Sequence, residues 1–145
     1  MPTTRRSRTI DAPVEDVWDV VSDPHHLPRW WPRVTRVEGA EEGRFTQVLA
    51  TAKGKPVRAD FRVVESVPPR RQLWVQELED SPFERLMGEA LTEIGLEPAD
   101  AATKVAIELR QRLRGFARFG WFLVRRANVR VLDEALDGLE RACGR

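Results

Sequence analysis

The stretch IDAPVEDVWDVVSDPHHLPRWWPRV, running from Ile10 to Val34, governs how the rest of the chain is read. Asp11-Ala12-Pro13 puts proline at a first helical position, and Glu15 and Asp16 fall in the first turn, where the helix dipole favours negative charge. Val14, Val17, Trp18 and Val21 then recur at three- and four-residue spacing, so the helix has one apolar face. Ser22-Asp23-Pro24 ends it, because Pro24 disfavours helical geometry at Asp23. A second short helical turn is expected from His25 to Trp30, before Pro32.

Outward from this pair of helices the texture is that of strands. Upstream, Thr3 to Ile10 is rich in Thr and Arg and ends on an apolar residue, which suits a short solvent-facing strand. Arg5-Arg6 is strand surface, since the apolar segment of a twin-arginine export signal does not follow. Downstream, Val34 to Leu113 alternates between apolar and polar positions and is broken by turn signals, which describes an antiparallel meander. In Val57 to Val63, residues Val57, Ala59, Phe61 and Val63 share one face while Arg58, Asp60 and Arg62 share the other. In Thr103 to Leu113, residues Val105, Ile107, Leu109, Gln111 and Leu113 oppose Lys104, Glu108, Arg110 and Arg112. Turns are expected at Gly43, at Lys53-Gly54-Lys55-Pro56, at Pro68-Pro69-Arg70, around Asp80-Ser81-Pro82 and at Glu97-Pro98-Ala99-Asp100, dividing the region into about six strands.

After Gly115 the period returns to that of a helix. Val124, Ala127, Val131, Leu132, Ala135, Leu136, Leu139 and Cys143 form a stripe against a face rich in Arg, Asp and Glu. A helix from about Phe119 to Ala142 is roughly 36 Å long at 1.5 Å per residue, enough to cross a small sheet. The expected fold class is therefore α+β, with a curved antiparallel sheet of about seven strands closed by a long C-terminal helix.

Composition narrows the function. With 145 residues, 41% of them hydrophobic and 32% charged, the chain has the size and make-up of one globular domain. A net charge of +1, with acids and bases interspersed, argues against nucleic acid as a partner. The single cysteine, Cys143, excludes an internal disulfide and a thiolate metal cluster, which points to the cytoplasm. No window is apolar over the roughly 18 residues that a membrane span needs, and no signal-peptide core follows Met1.

The order strand, two short helices, meander, long helix is the helix-grip arrangement. The run Ile10 to Trp18, followed by Asp23-Pro24 and Leu27-Pro28-Arg29-Trp30-Trp31-Pro32-Arg33-Val34, resembles the opening of the START-related, birch-allergen-like (SRPBCC) superfamily, and within it the bacterial polyketide cyclase/dehydrase-type proteins. Val67-Pro68-Pro69-Arg70, Thr103-Lys104-Val105 and Leu132 to Glu140 extend the resemblance over the whole chain. It implies a cavity between sheet and long helix that holds an apolar molecule, with no cofactor and no metal. Carriers, cyclases and interaction proteins share the scaffold, so the resemblance does not choose among them.

The leading expectation is a carrier of a lipid-like, polyketide-like or aromatic molecule. A polyketide cyclase, aromatase or dehydratase is the alternative, and an interaction module such as a co-chaperone or ribosome-associated inhibitor is a third. Trp30 and Trp31 are candidates for the cavity mouth, with a core role for Trp30 as the competing reading. Phe45, Phe61 and Ile107 lie on apolar strand faces and are candidates for the wall. Gln47, Thr92 and Gln111 are polar residues on such faces and need partners, either a ligand or a neighbour. Glu77 belongs to the wall if strand Leu73 to Leu78 turns Leu73, Val75 and Glu77 inward, and it would then be a desolvated carboxylate suited to acid-base chemistry. His25-His26 reads as surface or helix cap, because adjacent helical residues diverge and no third His exists. The sequence contains no Tyr, and Arg58, Arg62, Arg110 and Arg112 fall on solvent faces, so no catalytic residue is carried over from the family. The segment Phe116 to Arg126, with Phe119, Phe122 and Leu123, has aromatic residues on more than one helical face. It can gate the cavity, form a homodimer patch, or make peripheral contact with a membrane.

Overall fold

A computed structural model describes residues 2–115 and 119–144. Its strands are β1 (Thr3–Ile10), β2 (Val34–Glu41), β3 (Arg44–Leu49), β4 (Val57–Val67), β5 (Arg71–Glu77), β6 (Met87–Ala99) and β7 (Ala102–Leu113), and they form one antiparallel sheet in the order β1-β7-β6-β5-β4-β3-β2. The helices are α1 (Val14–Val21), α2 (Leu27–Trp30) and α3 (Trp121–Cys143), with a 3-10 turn at Pro24–His26 leading into α2. The expected architecture is therefore present, with the last helix starting two residues later than its sequence pattern suggests.

Local chemistry accounts for the joints. Glu42 and Gly43 both take positive φ, 53° and 74°, which is the two-residue turn whose twist matches a β2–β3 hairpin. Register shifts interrupt the pairing between Val63 and Glu65 in β4, between Met87 and Glu89 in β6, and twice in β2. Each inserts an extra residue and bends its strand, so the sheet curls instead of lying flat.

The concave face of the curl is apolar. It contributes Phe45, Trp74, Ile94, Leu96, Val105 and Ile107, to which α1 adds Val14, Val17, Trp18 and Val21 and α3 adds Leu132, Ala135, Leu136 and Leu139. Thr103 is fully buried, and its hydroxyl donates to the carbonyl of Ala12 at 2.8 Å, tying β7 to the entry of α1. At Gly138, α3 and α2 meet backbone to backbone. A Cβ there would stand 2.3 Å from the Trp30 carbonyl oxygen, so only glycine allows this approach.

Beyond this core, α3 lies against β1 through charges. Arg6 reaches Asp133 at 2.9 Å, and Arg8 pairs with Asp137. The convex face carries a lattice of ion pairs, among them Arg58 with Glu38, Arg110 with Glu93 and Glu108, and Arg112 with Glu89. Those arginines face solvent, as the alternation requires.

Candidate functional site

Between the first half of α3 and the sheet lies a cavity of about 260 Å³, lined by residues of β3 to β7, by Trp31 to Arg33 and by α3. That is just below the roughly 300 to 1,000 Å³ usual for small-molecule pockets. Its floor is buried: Gln47, Ala59, Ala90, Thr92 and Leu109. Its rim is half-exposed and includes Pro32, Gln76, Phe83 and Met87, with Asn128 and Val131 supplied by α3.

Strand register explains which side chains meet. Gln47 of β3 stands opposite Ala59 of β4, Phe61 of β4 opposite Gln76 of β5, Trp74 of β5 opposite Thr92 of β6, and Ala90 of β6 opposite Gln111 of β7. Because cross-strand partners share a face, these pairs all point into the concavity. An aromatic bank backs one wall. Phe45 and Phe61 stack at 5.3 Å and nearly parallel, Trp74 meets both edge-on, and Trp31 lies 5.8 Å from Trp74. Such offset and edge-to-face contacts fix the rings as a rigid surface.

The polar groups on the lining are mostly neutral. Gln111 accepts a hydrogen bond from the Asn128 amide at 2.8 Å, which joins β7 to α3 across the cavity. Gln47 is 3% exposed and Thr92 is 6% exposed, and among the described residues neither side chain has a hydrogen-bonding partner. No carboxylate, imidazole or thiol lines the cavity among the described residues, and its one charged member is Arg33 at the rim. Arg33 holds φ at 67°, a left-handed conformation uncommon outside glycine, just where the chain turns from Trp31-Pro32 into β2.

The residues singled out from sequence divide into four groups. Trp31, Gln47, Phe61, Thr92 and Gln111 line the cavity together. Trp30, Phe45 and Ile107 do not. They are core residues, with Trp30 packed under α3 and Phe45 behind Phe61. Glu77 points the other way: the buried face of β5 is Gln72 and Trp74, continued just past the strand by Leu78, which turns Glu77 onto the convex side at 4.0 Å from Arg62. It is not a desolvated carboxylate. Phe119, Phe122 and Leu123 are exposed instead of lining the cavity, and Phe116, Ala117 and Arg118 lie outside the described residues.

Sequence reading missed Gln76, Asn128, Phe83 and Met87. Gln76 was recoverable from Trp74, since a strand that buries a tryptophan turns its neighbours two residues away to the same side. Asn128 sits at four-residue spacing from Val124 and three from Val131, on the edge of the apolar stripe, and that spacing was a usable signal.

Outside the cavity, Asp23 caps the 3-10 turn, accepting from the backbone N–H of His25 at 3.0 Å and lying 2.9 Å from its ring nitrogen. Partial burial alone would raise the Asp23 pKa, but these hydrogen bonds and the charges of His25 and His26 outweigh it and hold the carboxyl below its ordinary range. The two histidines thus serve a cap. Among the described residues no three His, Cys, Asp or Glu side chains gather closely enough to hold a metal ion.

A family model described as polyketide cyclase / dehydrase and lipid transport matches residues 1–144. No curated protein sequence matches the chain. The fold recurs in the Thermus thermophilus protein TTHA0849, 24% identical with a TM-score of 0.78 over 97% of this chain and 96% of that one. It recurs in CV1439 from Chromobacterium violaceum, 22% identical with a TM-score of 0.75 over 97% and 96% of the two chains. The di-domain ARO/CYC BexL from the BE-7585A biosynthetic pathway is 25% identical with a TM-score of 0.80, covering 98% of this chain and 46% of that one.

Proposed function

Because the chain belongs to the polyketide cyclase/dehydrase and lipid transport family, over residues 1–144, we propose that it is one helix-grip domain that binds a small, uncharged, mainly apolar molecule carrying carbonyl or hydroxyl groups, and that it works in the cytoplasm. The observation that carries this reading is Gln47, almost fully buried on the cavity floor with no partner for its carboxamide among the described residues. The Gln47 carboxamide faces the cavity, so a bound carbonyl or hydroxyl can take the place of water there, whereas a hydrocarbon filling the space would leave the amide unsatisfied at a cost on the order of 1 to 3 kcal/mol. Thr92 offers a second such group nearby on the floor, and the aromatic bank offers a flat apolar wall. Among the described residues a charged ligand would find only Arg33, at the rim.

The test is ligand recovery and competition. Native mass spectrometry of protein purified from its own host should find an apolar small molecule in stoichiometric amount. In solution, the neutral probe N-phenyl-1-naphthylamine should be displaced by ketones and alcohols more strongly than by hydrocarbons of the same shape. Gln47→Leu should erase most of that preference, about a tenfold loss for the oxygenated competitor. Absence of any co-purified molecule, together with no probe uptake, would sink the reading.

Similarity to an aromatase/cyclase di-domain, 25% identical over this chain, favours cyclisation or dehydration of a polyketide-like substrate as a second reading. Gln47 and Thr92 would then hold carbonyls of a folded chain, with catalysis resting on shape and hydrogen bonding because the described lining offers no general base. Incubation with a poly-β-keto thioester analogue separates the two readings, since a carrier returns it unchanged. An open cavity of this size also weighs against a pure interaction module.

A further inference from the structure

The start of α3 carries two faces with opposite characters. Asn128 and Val131 look into the cavity, and Leu132 and Ala135 continue that side into the core. Turned away from them, Phe122, Arg126 and Arg130 follow one another at four-residue spacing, with Leu123 beside them, and four-residue spacing keeps side chains on one helical face. All four are exposed, Phe122 by 70% and Leu123 by 58%. Arg125, Arg126 and Arg130 have no ion pair among the described residues, in contrast to Arg110 and Arg112 of β7, which do. The charge on this part of the helix is one-sided: from Trp121 to Leu132 it has three arginines and no acid, in a chain whose net charge is only +1.

We propose that this face is a docking surface for an anionic lipid bilayer. Phe122 and Leu123 would enter the boundary between headgroups and acyl chains, while the arginine stems lie along the surface with their guanidinium groups on lipid phosphates. Charge complementarity selects this occupant over the others. A second copy of the chain, paired by two-fold symmetry, would bring Arg126 and Arg130 up against themselves. A nucleic-acid backbone would use the arginines but leave a solvent-facing Phe-Leu pair without a role. The opposite side of the same turns holds Asn128 and Val131, so docking would leave the cavity about one helix diameter from the bilayer and facing away from it. The proposal stands without the ligand reading, because it concerns adsorption of the protein itself.

Co-sedimentation with vesicles tests it. The full chain should bind vesicles of equimolar phosphatidylcholine and phosphatidylglycerol at least about tenfold more tightly than phosphatidylcholine alone, and added salt should weaken that binding. Phe122→Glu with Leu123→Glu should reduce it on the order of tenfold, and so should Arg126→Gln with Arg130→Gln. Both pairs replace exposed residues with good helix formers, and new acids in the first turn suit the dipole, so melting temperatures and N-phenyl-1-naphthylamine uptake should hold. The proposal is overturned if the two vesicle compositions bind alike, or if both double variants bind as the unmodified chain does. It is overturned equally by sedimentation velocity showing a dimer that the Phe122→Glu, Leu123→Glu variant dissolves while the intact chain ignores vesicles.

Discussion

Gly138 is the residue on which the cavity's inner support turns. Replacing it with Ala would ordinarily strengthen a helix interior by up to about 1 kcal/mol. Here the added methyl would meet the Trp30 backbone at 2.3 to 2.8 Å, and backbone cannot swing aside like the end of a side chain. Overpacking of this kind costs about 1 to 3 kcal/mol, so the expected result for Gly138→Ala is a net loss in urea unfolding. Because Trp31 follows Trp30 directly, uptake of an apolar probe should change as well. Thr103→Val should cost about 1 kcal/mol by removing the hydroxyl that serves the Ala12 carbonyl, with the cavity unaffected. At this scale the sequence was legible where polarity broke an apolar face, as at Gln47, Thr92 and Gln111. It misled at Glu77, because Leu73 and Val75 imitate a buried pair while Gln72 and Gln76 hide one. Burial there follows Trp74, whose size outweighs the polarity of its flanking glutamines.

Among the elements, α3 behaves as two helices joined end to end. Its second half buries Leu132, Ala135, Leu136, Gly138 and Leu139, whereas its first half buries no residue fully. Amide hydrogen exchange should therefore be slow from Leu132 to Leu139 and markedly faster from Trp121 to Asn128, with a bound ligand slowing the first half through Asn128 and Val131. Uniform protection along the whole helix in the empty protein would contradict this division. The surplus of aromatic residues in the sequence marked this boundary correctly, but it could not say which way the rings point. Helix phase against the sheet decides that, and phase comes from where Leu132 to Leu139 pack. The contact between β1 and α3 through Arg6–Asp133 and Arg8–Asp137 is solvent-exposed, so reversing both acids should cost no more than about 1 kcal/mol per pair and less at high salt.

At the scale of the whole molecule, Cys143 and Asp23 contribute pH dependences of opposite sense. Burial, with Asp16 adding to it and Arg29 opposing it, raises the Cys143 thiol from 9.0 to about 11. The protonated thiol's contribution is then complete below pH 9.0 and is lost as pH climbs through about 11. Urea unfolding over that interval should show a steeper loss for the native chain than for Cys143→Ala. Asp23 works in the opposite sense: its lowered pKa gives stability above the ordinary carboxylate range that fades as acid protonates it, and Asp23→Asn should flatten the acid limb. Chain order, strand count and the long helix were readable because each rests on local period and turn chemistry. The cavity's limits were not, because they depend on how far bulges at Val63–Glu65 and Met87–Glu89 curl the sheet. The aromatic bank carries a last consequence, an optical one. With five Trp and no Tyr in the chain, near-ultraviolet absorption above the phenylalanine bands belongs to tryptophan alone. Trp30, Trp31 and Trp74 stand within 5.4 to 5.8 Å of their neighbours, close enough for their transitions to couple. Occupancy of the cavity should thus be visible as a change in near-ultraviolet circular dichroism, and the protein would report its own loading without a label.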